Sequence, residues 1–412
     1  MQGDLVVERP EGLYCPAGDF YIDPWRPVAR AVVTHAHADH ARPGHGAYLA
    51  ATAGEAVLRA RLGDVALQTL AYGEPIDHCG VRLSLHPAGH VLGSAQVRLE
   101  HRGRVWVASG DYFVSGAGDD EDSPTCAPFE PVRCQCFITE STFGLPIYRW
   151  KPRRAVFAEI DAWWRANVEA GRPSLLMGYS FGKAQRLLAG VDASIGPIVV
   201  HGAVETLNRA YRAAGVALPS TLRVGEVDDK ALLRTALVLA PPSVAGSPWA
   251  RRFAGASDAF ASGWMQLRGA RRRRGVDRGF VLSDHADWPG LQRAIGATGC
   301  ERVIVTHGYE AVMVRWLREQ GLEADAFRTE YGDAALEGEA EGDAASTGAA
   351  EAPAEGGTGA DAATGADRAD TARVDLIADA RDADGRDADA RDADGRAPRG
   401  PGAGPDDRGR PR

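Results

Sequence analysis

Four potential metal ligands lie within six consecutive residues, and this cluster constrains the chain more than any other feature of its sequence. The four side chains are those of His35, His37, Asp39 and His40, and they directly follow an apolar β-run at residues 31–34. Imidazole and carboxylate groups bind zinc or manganese, and the alternating spacing lets two imidazoles face one ion while Asp39 and His40 face another. The pattern predicts a metal centre in a loop that follows a strand.

Three more potential ligands lie further along the chain, each where an apolar β-run ends. They are His90, Asp111 and His307. A lone histidine at such a position is more often structural, but the first cluster alone supplies too few ligands for two ions. Loops that follow parallel strands collect at one edge of a sheet, so we expect these three side chains to join the first cluster.

The sequence resembles the metallo-β-lactamase fold and, within it, the β-CASP nucleases, over nearly all of residues 1–333. Seven motifs carry this resemblance, in the order in which the family has them. Their central residues are Asp23, the cluster from His35 to His40, His90, Asp111, Glu140, His285 and His307. Glu140 lies in Ile-Thr-Glu-Ser-Thr-Phe-Gly and His285 in Leu-Ser-Asp-His-Ala-Asp-Trp, which are similar to two motifs specific to the β-CASP branch.

The resemblance implies two divalent metal ions as cofactors, with zinc favoured and manganese as the alternative. One ion would be held by His35, His37, His90 and Asp111. The second would be held by Asp39, His40, Asp111 and His307. Asp23 is implied as a supporting residue behind these ligands, and Asp39 is implied to serve catalysis as well as metal binding. His285 would protonate the leaving oxygen or bind a phosphate oxygen, with Glu140 orienting it.

The order of predicted elements favours an α/β protein with an interrupted body. Short β-runs fill the first 145 residues, helices and strands alternate from residue 153, and a strand at residues 279–282 is expected to start a last unit. We expect a metallo-β-lactamase αββα sandwich formed by residues 1–145 and 282–333, with an inserted α/β β-CASP domain at residues 146–281. Residues 334–412 contain no aromatic residue, His, Cys or Met, which predicts a disordered, acidic, low-complexity tail.

Net charge provides no general argument for nucleic-acid binding by this chain. The whole chain carries −9 and the predicted tail accounts for all of it, so residues 1–333 are neutral and a local contact surface is required. The densest positive run consists of Arg271, Arg272, Arg273 and Arg274. This run is either a backbone-binding element beside the site or a solvated loop. Lys183 and Arg186, near the start of a predicted helix, are further candidates for contacts with phosphate.

The expected function is hydrolysis of phosphodiester bonds in nucleic acid, with DNA favoured over RNA. Residues 262–288 resemble those of bacterial DNA ligase-associated exonucleases, a branch also described as mRNA 3′-end processing factors. This resemblance implies an exonuclease that trims DNA ends for repair and acts with an ATP-dependent DNA ligase and a helicase.

Two alternatives to this function remain open at the level of the sequence. An RNA-processing nuclease is favoured by His307, because histidine in this motif is commoner among the RNA enzymes of the family. A thioesterase or lactonase on the same fold is more distant, since such enzymes lack the Glu140 and His285 motifs and the inserted domain. The sequence shows no signal peptide or transmembrane run, so we expect a cytoplasmic protein without a membrane partner.

Overall fold

The computed structural model describes residues 3–116, 123–227 and 229–330, which form three β-sheets with helices on their faces. This arrangement confirms the expected α/β class. Within these residues no helix combines the length and the hydrophobicity that crossing a lipid bilayer requires. The tail predicted for residues 334–412 lies outside the described part of the chain.

The first sheet is built from six strands that lie side by side in chain order. They are β1 (Val7–Arg9), β2 (Gly12–Cys15), β3 (Phe20–Ile22), β4 (Arg30–Val32), β5 (Ala47–Ala51) and β6 (Leu67–Leu70), with helix α1 (Glu55–Leu62) between β5 and β6. Strands β3 to β6 are parallel, so the chain leaves β3 and β4 at the same edge. Asp23 follows one of these ends and His35 follows the other.

The second sheet begins with five consecutive strands. They are β7 (Pro75–His78), β8 (Val81–Pro87), β9 (Ala95–His101), β10 (Arg104–Ala108) and β11 (Cys136–Ser141). Strand β9 is antiparallel to both of its neighbours and β10 is parallel to β11, so β8, β10 and β11 run in one direction. His90 and Asp111 follow two of these strands, and Glu140 lies near the end of the third.

The third sheet is formed by the middle of the chain, and all of its neighbouring strands are parallel. Its elements are α2 (Arg153–Glu169), β12 (Ser174–Met177), α3 (Lys183–Gly190), β13 (Ile198–Val200), α4 (Gly202–Ala213), β14 (Leu222–Arg223), α5 (Lys230–Leu233), β15 (Leu237–Ala240), β16 (Ser257–Ala261), α6 (Arg268–Arg274) and β17 (Arg278–Phe280). The strand order is β14-β13-β15-β12-β16-β17.

Strand β17 corrects one expectation, because it closes the third sheet instead of starting the last unit. It pairs with β16, and Phe280 is buried in a core that includes Trp163 and Trp164 of α2. The arginine run expected in a loop forms helix α6 instead. Short 3₁₀ helices also occur at Thr52–Gly54, Val224–Glu226, Pro242–Val244, Ala250–Phe253 and Gly263–Gln266.

The last part of the chain returns to the second sheet. Its elements are α7 (Trp288–Thr298), β18 (Arg302–Gly308), α8 (Glu310–Glu319) and β19 (Glu323–Ala326). Strand β18 pairs in parallel with β11, and β19 pairs with β18, which completes a sheet of seven strands. His307 near the end of β18 therefore lies at the same sheet edge as Glu140 of β11.

The first two sheets pack face to face around one hydrophobic core. Ile22, Val32 and Leu49 of the first sheet share this core with Leu85 and Ile138 of the second. Helices α7 and α8 cover the outer face of the second sheet, and helices α1 and α4 cover that of the first. The layers are therefore helix, sheet, sheet and helix, and the strand ends that carry potential ligands lie together at one edge of the two sheets.

Candidate metal centre and its surroundings

Four potential ligands converge at the edge where the first two sheets meet, and we call their donor set the first site. Nε2 of His35 and Nε2 of His90 each lie 3.0 Å from Nδ1 of His37. Oδ2 of Asp111 lies 3.4 Å from Nε2 of His35 and 3.8 Å from Nε2 of His90. Zinc–nitrogen bonds of ~2.0–2.1 Å in a tetrahedral site separate the ligand atoms by about 3.3 Å, so this donor set fits one ion.

A second donor set, the second site, shares the Asp111 carboxylate with the first. Nε2 of His40 lies 3.5 Å from Oδ2 of Asp111 and 3.6 Å from Oδ2 of Asp39. Nε2 of His307 lies 3.0 Å from the other oxygen, Oδ1 of Asp111. Because Oδ2 faces histidines of both donor sets and Oδ1 faces His307, this carboxylate can serve two ions at once.

The two donor sets differ in their access to solvent. The side chains of His35 and His90 in the first site are fully buried. The side chain of Asp39 in the second site is 44% exposed and that of His307 is 16% exposed. Asp39 thus lies at the mouth of the centre and the pair His35 and His90 lies deeper, whereas His37 is partly exposed.

The turn before His35 is held against the Asp111 loop by close backbone contacts. Gly110 has a φ of +55°, and a Cβ atom there would lie 2.6 Å from the Thr34 side chain, so this approach requires glycine. Asp23 accepts hydrogen bonds from Thr34 N at 2.7 Å and Thr34 Oγ1 at 2.5 Å, and its Oδ2 lies 2.7 Å from Nδ1 of His40. These contacts turn Nε2 of His40 toward the centre, which is the usual task of a carboxylate behind a ligating imidazole.

Burial sets the charge state of the first site. It lowers the pKa of His35, holds that of His90 well below its usual value and lowers that of His37 to about 3. Burial by itself would raise the pKa of Asp111, but the nearby histidines outweigh it and hold this pKa well below its usual range. The first site therefore presents three neutral imidazoles and one carboxylate anion, the forms that bind a metal cation.

His285 lies beside the first site, and its ring contacts the carboxylate of Glu140. Nδ1 of His285 lies 3.1 Å and 2.9 Å from the two carboxylate oxygens of Glu140, which also accepts a hydrogen bond from Tyr112 N. Burial by itself would lower the pKa of His285, but the carboxylates of Glu140 and Asp111 raise it to about 10. The His285 ring centroid lies 4.5 Å from that of His90. A protonated imidazole therefore borders the centre, with Nε2 left unused by Glu140.

Lys183 and Arg186 do not contact solvent, which corrects the expectation that they bind phosphate. Their exposed fractions are 3% and 1%. Nζ of Lys183 donates to Oδ1 of Asp284 at 2.5 Å, and Nη2 of Arg186 donates to the backbone oxygen of His90 at 2.8 Å. Because these cations are committed to internal acceptors, they are not available to a nucleic-acid backbone in this structure.

Asp284 is a residue of this centre that the sequence analysis did not single out. Its backbone oxygen lies 2.8 Å from Nδ1 of His90, and its carboxylate binds Lys183. Its position directly before His285 in the motif was the signal that could have identified it.

The four arginines of the run Arg271–Arg274 in α6 lie on the surface, but they are not equivalent. Cζ of Arg274 lies 4.4 Å from the ring centroid of Phe260, and Nε of Arg271 donates to the backbone oxygen of Met265. Arg272 and Arg273 are exposed. The latter two are therefore the members of the run best placed to meet a partner.

Sequence comparison identifies relatives of the chain, one of them over most of its length, although no protein-family model matches it. A protein named Probable DNA ligase from Opitutus terrae is 34% identical over 322 residues, which are 77% of this chain and 30% of that protein. The cleavage and polyadenylation specificity factor subunit 3 of Dictyostelium discoideum is 26% identical over 126 residues, 31% of this chain and 16% of that protein. Endoribonuclease YSH1 of Saccharomyces cerevisiae is 27% identical over 126 residues, 31% of this chain and 15% of that protein.

The chain spans less than a third of the length of each of these relatives. A solved structure, a protein of unknown function from Enterococcus faecalis V583, aligns with 74% of this chain and 80% of that chain at 11% identity, with a TM-score of 0.49. The sequence relatives show that the chain is homologous to the metallo-β-lactamase β-CASP nucleases.

Proposed function

We propose that the protein is a two-metal nuclease that hydrolyses phosphodiester bonds at DNA ends and acts with a DNA ligase in end processing and repair. The observation that carries this proposal is the shared Asp111 carboxylate, with one oxygen facing His307 and the other facing His35. Two divalent ions, zinc for a donor set so rich in imidazole, fit this arrangement. When bound, such a pair would lower the pKa of a coordinated water molecule and stabilise the negative charge that develops on the phosphate oxygens.

The proposal assigns every donor to one of the two sites. His35, His37, His90 and Asp111 hold the first ion, and Asp39, His40, Asp111 and His307 hold the second. Asp23 positions His40. The exposed carboxylate of Asp39 also accepts the proton of the attacking water, since it is the donor most open to solvent.

The proposed division of the chain follows the sheets. Residues 1–145 and 282–333 form a metallo-β-lactamase sandwich, and residues 146–281 form the inserted β-CASP domain. This division is supported by β18 and β19, which complete the sheet that β7 to β11 begin, whereas β12 to β17 form a sheet of their own.

His285 is proposed as the proton donor to the leaving oxygen. A general acid must be protonated at the working pH and must present its proton to the substrate. The carboxylates of Glu140 and Asp111 favour the protonated ring, and the bond from Nδ1 to Glu140 leaves Nε2 for the substrate. Glu140 is thus a positioning residue for His285.

The preference for DNA is supported by the extent of the similarity. The relative named Probable DNA ligase matches 77% of this chain, whereas YSH1, named an endoribonuclease, matches 31%. We therefore propose a DNA ligase as partner, with a helicase in the same pathway. RNA processing is the second candidate, and the endoribonuclease relatives favour it. Arg272 and Arg273 are proposed to contact the nucleic-acid backbone.

One assay tests this function directly. The purified protein is freed of metal, reloaded with zinc or manganese, and given single- and double-stranded DNA and RNA labelled at either end. We expect progressive shortening of DNA, lost on chelation and restored by adding the ion back. Cleavage of RNA alone would select the second candidate. A protein that holds two ions and cleaves no nucleic acid would refute the proposal.

A further inference from the structure

The start of helix α3, which connects strands β12 and β13 of the third sheet, lies against the outer side of the first site. The backbone oxygen of Phe181 lies 3.4 Å from Nε2 of His37, the ring nitrogen that does not face the other ligands. Gly182 has a φ of +78°, and a Cβ atom there would lie 2.2 Å from Cγ1 of Val91, next to His90. This approach is close enough that no larger residue fits at position 182 without moving α3 away.

Lys183 extends this contact to His90 through Asp284. Its ammonium group donates to Oδ1 of Asp284 at 2.5 Å and to the backbone oxygen of Leu282 at 3.2 Å. The backbone oxygen of Asp284 in turn lies 2.8 Å from Nδ1 of His90. The two bonds from Lys183 therefore hold the segment whose carbonyl group sets the orientation of the His90 ring.

Arg186, one turn later, holds the same loop by its backbone. Its Nη2 donates to the backbone oxygen of His90 at 2.8 Å and to that of Gly89 at 3.3 Å. Both the ring and the main chain of His90 are thus bound by groups that belong to α3 or are fixed by it.

The second site is held by a different part of the molecule. Its His40 is oriented by Asp23, which follows strand β3 of the first sheet. Its His307 lies on strand β18, which pairs with β11 of the second sheet. The contacts of α3 described above go to residues of the first site, whereas these contacts hold the second. Asp23 also reaches the first site, because Thr34 Oγ1, which it binds, lies 3.1 Å from Nδ1 of His35.

A contribution to folding stability does not explain why a charged residue is buried at position 183. Its side chain is 3% exposed and that of Asp284 is 6% exposed, and replacing such a buried ion pair by apolar side chains is often neutral or stabilising. The ion pair instead positions the chain before His285, because the ammonium group of Lys183 binds two acceptors, Leu282 O and Asp284 Oδ1, and fixes their relative positions.

We propose that Lys183 is a positioning residue for the first site, and that metal affinity there depends on how α3 docks, whereas affinity at the second site does not. The inference rests on the proposed function only in treating the two donor sets as metal sites. Residues that orient a metal ligand typically change metal affinity by ~10–100-fold when replaced. The third sheet thereby contributes to the metal centre without supplying a ligand.

The test compares Lys183→Met with Lys151→Met. Lys151 is a matched control because it also forms an ion pair, with Glu159 at 2.7 Å, but on the surface, where its side chain is 59% exposed. Metal-free full-length protein is titrated with Zn²⁺ by calorimetry and with Co²⁺ by absorption. We expect Lys183→Met to bind one ion as tightly as wild type and the other ~10–100-fold more weakly. Lys151→Met should match wild type at both sites.

A second variant separates positioning from the strain of an unpaired charge. Lys183→Met combined with Asp284→Asn leaves no buried charge in the pair and keeps the backbone oxygen that faces His90. We expect the same selective loss at one site, with a metal-free melting temperature close to that of wild type. Wild-type binding at both sites, or an equal loss at both, would overturn the inference. Failure of the wild type itself to bind divalent ions would instead overturn the proposed function.

Discussion

Nδ1 of His285 lies 2.9 Å from Oε2 of Glu140, although 145 positions separate the two residues along the chain. The contact joins strand β11 of the second sheet to the turn that precedes α7. It holds the imidazole of His285 beside the metal centre and leaves one ring nitrogen for another partner, so the two residues form one functional unit on this proposal.

His285→Ala should separate catalysis from metal binding. We expect the variant to retain two ions and its fold, because His285 is not a member of either proposed donor set. Its cleavage rate should fall by ~10²–10⁴, the usual contribution of one general acid. Elemental analysis and single-turnover kinetics on one preparation measure both quantities. A large drop in metal content would show that His285 is a ligand.

Glu140→Gln should change the pH dependence of cleavage. The pKa of His285 is raised to about 10, against the effect of burial, chiefly by Glu140. An amide keeps the acceptor for Tyr112 N but removes the charge, so the pKa of His285 should fall. As the pH rises, His285 in this variant then loses its proton at a lower pH than in wild type. The alkaline limb of the rate profile should therefore move to lower pH. His285→Ala should lack this limb, and an unmoved limb in Glu140→Gln would contradict the assignment.

Asp111→Ala should abolish cleavage and reduce the metal content. The carboxylate lies within 3.8 Å of imidazole nitrogens in both sites, so its removal affects both ions. Asp77→Ala is the matched control, since Asp77 is an exposed aspartate on strand β7. Two ions still bound per chain in Asp111→Ala would disprove a bridging role.

Arg272→Ser with Arg273→Ser should weaken binding to single-stranded DNA and flatten its salt dependence. Each phosphate contact that is lost reduces the slope of log K against log salt by ~0.7. The pair avoids Arg274, which packs on Phe260.

The control for this experiment is Arg315→Ser with Arg318→Ser, two exposed arginines on α8. Fluorescence anisotropy at several salt concentrations measures affinity and slope together. Wild-type affinity and slope in the Arg272 and Arg273 variant would identify α6 as a solvated helix, and the contact surface would lie elsewhere.

Removal of residues 337–412 should leave the melting temperature and the cleavage rate nearly unchanged. This segment contains no aromatic residue, His, Cys or Met, so it has little apolar surface to add to a core. Calorimetry of the full and shortened chains checks the expectation. A melting temperature lowered by many degrees would show that the segment packs on the rest of the protein.

The sequence alone determined which residues can carry the chemistry. The spacing of His35, His37, Asp39 and His40 predicts a metal centre because ligand chemistry is local to the side chain. The place of His90 after an apolar β-run predicts its approach to that centre, since strand ends meet at a sheet edge. Side-chain type, the spacing of the ligands and their order along the chain are enough for these two predictions.

Only the tertiary structure decided what surrounds those residues. Lys183 and Arg186 are cations of the kind that bind phosphate, yet they are buried behind His90. The reason is that helix α3, which follows strand β12 of the third sheet, packs there. The role of Asp284 depends on the same packing. Burial and hydrogen-bond partners are set by segments far apart in the chain, and no local pattern records which segment will cover a given charge.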